Sequence, residues 1–177
     1  MLLASVSAQG RGETDRLLAA IVDRLRGKGV QMAGALRVLG LGSGSGHCDS
    51  ALLLLPDGPI IDITQNLGTG SAACRMDAGA LELAVANATE CLETQHVDLV
   101  VLNKFGISEA EGRGFRTLIA NALERDLPVL IGVSNVHRAA FDRFAGGVAT
   151  ALPVDEDAVL AWCLGAIPKT IKENHVA

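Results

Sequence analysis

The chain has no tyrosine and one tryptophan among its 177 residues, and aromatics make up only 3% of it. That excludes a core built on stacked rings. The 49% of hydrophobic residues is mostly Leu, Val, Ile and Ala, the material of strands buried on both faces under helices. A basic excess is also absent. Fifteen Lys and Arg against twenty Asp and Glu give a net charge of −5, which offers no footprint for nucleic acid or an anionic membrane. A small anion stays compatible, because a nest of backbone N–H groups binds one on an acidic surface. No uninterrupted apolar run approaches the roughly 20 residues that a membrane helix needs. The apolar start meets Gly10, Arg11, Glu13 and Asp15 too soon for a secretory signal. Cys48, Cys74, Cys91 and Cys163 are scattered and form no CxxC, which speaks against a disulfide scaffold and for reduced thiols in the cytoplasm.

What is present alternates. Leu2 to Val6 reads as a strand, Ser7 to Gly12 as a glycine-rich turn, and the next stretch as an amphipathic helix. Leu17, Leu18, Ile21, Val22 and Leu25 lie at helical spacing in it, Thr14 or Asp15 is suited to the N-cap, and Gly27 and Gly29 end it. Residues 31–41 read as a strand or strand pair. Two apolar runs, 51–55 and 60–63, flank Pro56-Asp57-Gly58-Pro59, which predicts a β-hairpin projecting from the sheet. A helix is expected over about 77–95, a buried central strand over 97–102, a helix over 109–125 and a buried strand over 128–133. Helices over 138–144 and 155–164 follow. The expected fold is a three-layer α/β/α domain spanning residues 1–177, with a mostly parallel sheet and a hairpin insertion.

The first turn sits where a phosphate-binding loop would. In the pattern GxxxxGK[ST], glycines let backbone N–H groups wrap phosphate oxygens, Lys reaches the terminal phosphates and the hydroxyl ligates magnesium. Here the window is Ser7-Ala8-Gln9-Gly10-Arg11-Gly12-Glu13-Thr14. Gly12 and Thr14 match, Ser7 replaces the first glycine and Glu13 stands in the lysine position. A carboxylate there repels a triphosphate and removes a transition-state charge stabiliser; Arg11 is a partial substitute. A plain strand-to-helix turn, with Glu13 favouring the helix N-terminus, reads the same residues without a ligand.

The second segment of interest is Asn103-Lys104-Phe105-Gly106 with Glu109, at the C-terminal end of the central strand, where α/β sheets place their ligands. With the first loop and the hairpin, it resembles the architecture of THEP1-type nucleoside-triphosphatases. Their corresponding strand ends in Asp-Glu-Ile-Gly with Glu shortly after. More closely, the chain resembles the DUF2478 family of bacterial proteins. Residues carrying that likeness are Gly68 with Cys74-Arg75-Met76-Asp77, the Asn103–Gly106 run with Glu109, Gly112, Gly114 and Arg116, Pro128-Val129-Leu130, and Phe144-Ala145-Gly146-Gly147. This resemblance implies a P-loop NTPase-like fold and a link to molybdate transport. Against the active enzymes the charges are exchanged, Glu13 in the loop and Lys104 at the strand, so the two are expected to overhang one crevice, where Lys104 either reaches the anion site from the opposite side or pairs with Glu13. With Asn103 in place of an acid, nothing obvious holds magnesium or orients water.

Other residues bear two readings. Arg75 suits an oxyanion as a bidentate donor, or is solvated while Asp77 caps the long helix. His47, Cys48 and Asp49 lack the partner spacing of a metal site, and His96 and His137 read as surface residues. Gly112 and Gly114 suggest close backbone approach or a late helix start. The expected ligand is a nucleotide or an oxyanion such as molybdate, held by Gly10, Arg11, Gly12, Glu13, Thr14, Arg75, Asn103, Lys104 and Glu109. No catalytic residue and no metal ligand are assigned. The alternatives are an active nucleoside-triphosphatase with non-standard phosphate-site residues and a non-binding accessory protein; an oligomer is compatible with either.

Overall fold

A computed structural model describes residues 2–39, 50–65 and 75–168. The chain begins with β1 (Leu3–Val6) and α1 (Glu13–Arg26), then β2 (Met32–Arg37), β3 (Ala51–Leu55) and β4 (Ile60–Asp62). A two-stranded pair, β5 (Thr64–Gln65) with β6 (Arg75–Met76), precedes α2 (Ala78–Thr94). After that come β7 (Leu99–Phe105), α3 (Ile107–Ala110), α4 (Arg116–Glu124), β8 (Val129–Val133) and a 3₁₀ turn at Asn135–His137. The chain continues through α5 (Arg138–Ala145), β9 (Thr150–Ala151) and α6 (Glu156–Ala166).

The main sheet runs β4-β3-β2-β7-β8-β1-β9. Strands β2, β7, β8, β1 and β9 pair in parallel, while β3 pairs antiparallel with both β2 and β4. The hairpin therefore continues the sheet and does not project from it, because Gly34 to Arg37 of β2 offer an open edge that Leu52 to Leu55 complete. Gly34 makes the next pairing possible. Its φ is 121°, and a Cβ there would overlap the Val101 carbonyl oxygen.

Two apolar layers cover the sheet. Ala4, Val6, Leu99, Val101 and Leu130 face one way, against Leu18, Ile21 and Leu25 of α1 and Val159 and Cys163 of α6. Leu3, Val100, Leu102, Val129 and Ile131 face the other, against Leu81, Ala84 and Leu92 of α2, Leu118 and Ile119 of α4 and Phe141 of α5. Alternation of this kind, with both faces covered, is why β7 and β8 read as continuous apolar runs. Burial raises the Cys163 thiol to about 12, which leaves it an inert core residue.

Helix ends follow the sequence in part. Asp77 and Asp155 cap α2 and α6, accepting from Ala80 N–H (3.0 Å) and Ala158 N–H (2.8 Å). The helix expected over 109–125 is broken in two. Gly112 and Gly114, at φ 87° and 60°, turn the chain between α3 and α4, so the second piece starts late, at Arg116. Among the described residues no helix is long and apolar enough to cross a membrane.

Candidate functional site

The loop after β1 folds over the start of α1. Gly12 takes φ 75°, the left-handed conformation that aims the chain into the helix. Glu13 N–H closes a turn onto the Gly10 carbonyl (3.2 Å), and the first helical bond runs from Arg16 N–H to the Gly12 carbonyl (3.0 Å). The amides of Thr14 and Asp15 therefore precede the helical ladder, and the positive end of the α1 dipole opens at the loop. Neither Thr14 nor Asp15 is the N-cap, as the sequence suggested; Gly12 is. Thr14 Oγ1 instead accepts the Ala8 N–H at 3.0 Å and braces the loop from within.

Glu13 does not pair with Lys104. Its Oε1 lies 2.7 Å from Arg16 Nη1, both side chains more than half exposed, and its stem folds across Gly10. A partner one turn along the same helix is closer than one across the crevice, and the exposed pair contributes at most about 1 kcal/mol. Arg11 is exposed beside it.

The opposite wall comes from β7. The strand does not stop at Leu102 but runs on to Phe105, and its register against β8 shifts between Leu102 and Phe105. An irregularity at Asn103–Lys104 re-aims side chains at a sheet rim. Asn103 is buried and Lys104 exposed, with no carboxylate of the described residues within ion-pair distance of the Lys104 ammonium. Phe105 anchors the strand end beneath, in edge contact with the Phe141 ring (centroids 5.4 Å) and tilted against Phe144. Gly132 of β8 lets the two walls meet. A Cβ there would overlap the Asn103 carbonyl oxygen and come within 2.8 Å of Thr14 Cγ2.

Glu109 is buried and committed elsewhere. Its Oε2 accepts the Gly106 N–H (2.9 Å) and its Oε1 the Phe115 N–H (3.0 Å), so it ties both ends of the 106–115 turn together. Gly114 permits this close approach, since a Cβ would overlap the carboxylate. Glu109 lines a neighbouring cavity, not the loop crevice.

Between loop and strand lies a crevice of about 420 Å³. It brings together the expected Gly10, Arg11, Gly12, Thr14, Asn103 and Lys104. Glu13 stands outside its lining. The Arg75 side chain lies outside the described residues, as do Gly68, Cys74, His47, Cys48 and Asp49.

Among the lining residues not foreseen as site residues, Asn135 and Asp15 matter most to its geometry and charge. Asn135 clips the loop to the end of β8: its Nδ2 donates to Gln9 Oε1 and its Oδ1 accepts from Ser7 Oγ, both at 3.3 Å. Asp15 is a carboxylate only 13% exposed, 3.6 Å from Arg37. Burial raises its pKa above 3.8, against the opposing pull of Arg37, Lys104 and Arg16. In sequence Asp15 reads as an N-cap candidate, which hides this role. No group of three His, Cys, Asp or Glu suited to a metal ion occurs among the described residues.

Residues 3–162 match the family described as "Protein of unknown function (DUF2478)". Over 181 aligned residues the chain is 34% identical to a "Molybdenum import ATP-binding protein ModC 2" of Bradyrhizobium diazoefficiens. The alignment takes in 99% of this chain but spans only 20% of that relative's length. Among solved structures, a human cancer-related nucleoside triphosphatase superposes with a TM-score of 0.63 at 14% identity, covering 93% of this chain and 95% of the other. THEP1 from Aquifex aeolicus superposes with a TM-score of 0.63 at 15% identity, covering 96% and 100%. The fold is thus that of the P-loop NTPase-like α/β proteins.

Proposed function

The chain belongs to the DUF2478 family, and on that premise we propose that it binds an anionic ligand, a nucleotide or a tetrahedral oxyanion, in the crevice between loop and strand. Nucleoside triphosphates are turned over at no more than background rate. One observation carries the reading: a helix N-terminus opened by a left-handed glycine and a lysine from the facing strand, without an ion-pair partner among the described residues, line the same 420 Å³ crevice. Both attract negative charge, and neither depends on the missing loop lysine.

The same arrangement argues for binding without turnover. Asn103 occupies the position of a strand-end acid, Glu109 is spent on two backbone amides, and Thr14 holds Ala8. Asp15 alone adds a carboxylate to the crevice lining, and one carboxylate is a poor cage for magnesium. The similarity to a protein named for molybdenum import favours molybdate among the oxyanions, as a tetrahedral dianion akin to phosphate.

A thermal-shift series with ATP, GTP, phosphate, sulfate and molybdate tests this, because a ligand that prefers the native state raises the melting temperature. At least one anion is expected to raise it in the wild type and to do so less in Lys104→Ala. Magnesium-dependent hydrolysis of ATP and GTP is expected at background; turnover that disappears in Thr14→Ala would contradict the second half of the proposal.

A further inference from the structure

Beside the loop crevice lies a second cavity of about 260 Å³, on the β3 side of β7. The two are neighbours, since Asn103 and Lys104 line both. Their linings differ in kind. The second has a buried apolar floor of Leu52, Leu81 and Phe115, each at most 5% exposed. Its rim carries Met76 and Ile107, at 42% and 56% exposed.

Large apolar side chains left in water around an apolar hollow mark a place where a partner's apolar surface is taken up. The hollow is not wholly apolar. His137 lines it, its ring Nδ1 paired with Ser134 Oγ at 3.1 Å. Ser108, 5% exposed, lies in the same wall. Such a mixture suits a planar ring with a polar edge. At 260 Å³ the hollow is small for a whole organic ligand, whose sites run from about 300 to 1,000 Å³, whereas the two neighbouring cavities taken together fall inside that range.

We propose that the second cavity takes the ring of an organic phosphate whose charged group rests on Lys104 and the loop, so the natural ligand is a ring-bearing phosphate ester and not a bare oxyanion. This rests on the anion-binding reading of the crevice. Lys104 lines both compartments and so is placed to hold the charged end of a ligand whose ring lies in the second. A bare oxyanion fills only the polar side and leaves the apolar rim in water.

The test uses the full chain with its Ile, Leu and Met methyl groups and its backbone amides observed by NMR. It is titrated separately with AMP, phenyl phosphate, inorganic phosphate and molybdate. At least one of the two organic phosphates is expected to move the Met76, Leu81 and Ile107 methyls together with the Gly10 and Gly12 amides, and to bind more tightly than inorganic phosphate. Inorganic phosphate and molybdate are expected to move the loop amides alone. Ile107→Glu, an exposed change that spares the core, is expected to weaken the organic phosphate about fivefold by replacing the apolar rim against the ring with a hydrated carboxylate, and to weaken inorganic phosphate far less. If organic phosphates move the loop amides but not these methyls, the second compartment falls and the anion site stands. If none of the four moves the loop amides, both proposals fall.

Discussion

The two walls of the crevice are built in opposite ways. The loop offers backbone, with its left-handed Gly12 and the helix start behind it, while its Glu13 and Thr14 side chains are turned to other uses. Glu13 pairs with Arg16 and Thr14 braces Ala8. The strand wall keeps little of the expected acidic pattern but presents Lys104 free of any carboxylate partner among the described residues. In such a site the strand adds a side-chain charge to the helix N-terminus and Arg11 that the loop supplies. A substitution in one wall is therefore read against the other.

The largest effect is expected from Glu109→Ala. It strips two buried amides, Gly106 and Phe115, of their acceptor and empties the approach at Gly114. A loss of about 3 kcal/mol of stability is expected in urea unfolding, the cost of leaving buried donors unsatisfied. Loss of anion binding with no loss of stability would instead make Glu109 a ligand contact, and the walls would not divide as described.

A smaller effect sharpens the electrostatic side. Asp15 carries a raised pKa, so the native state holds its proton more tightly than the unfolded chain does. Its contribution to stability improves as pH falls through that raised value toward 3.8, and it opposes an anion while charged. Anion affinity should therefore rise on acidification from neutral pH. Asp15→Asn should strengthen binding at pH 7.5 by about fivefold, near 1 kcal/mol, and flatten the pH dependence. Calorimetric titrations at two pH values check both. An unchanged affinity would remove Asp15 from the crevice's electrostatics.

Much of this architecture was legible in the residues. β1, β8 and the two hairpin strands announced themselves by apolar runs and a Pro-Asp-Gly-Pro turn, and Asp77 by its place ahead of an aliphatic helix. Local chemistry decides those features. The rest depends on contacts distant in sequence. The irregularity at Asn103–Lys104 exists only in register against β8, so a strand ending at Leu102 was the natural reading. Asn135 reaches the loop across 126 residues, which no spacing rule detects. Gly112 and Gly114 were visible as anomalies, but a buried carboxylate six residues from its amide partner was needed to explain them. Glu13 and Lys104 looked like partners because both charges were unusual; helix geometry gave Glu13 a nearer one.

The central claim is that Lys104 supplies the largest single share of the charge that holds the anion, beside Arg11 and the helix N-terminus of the loop. Calorimetric titration of wild type, Lys104→Ala and Glu13→Lys with whichever anion gives the largest thermal shift tests it most directly. Lys104→Ala is expected to weaken binding about tenfold, ~1.4 kcal/mol, with stability unchanged, the loss of a charged donor at an exposed position. Glu13→Lys is expected to strengthen it, by less, since it removes a charge beside the crevice and restores a donor. Equal affinities across all three proteins would contradict the claim and leave the crevice an inherited shape without an anion to hold.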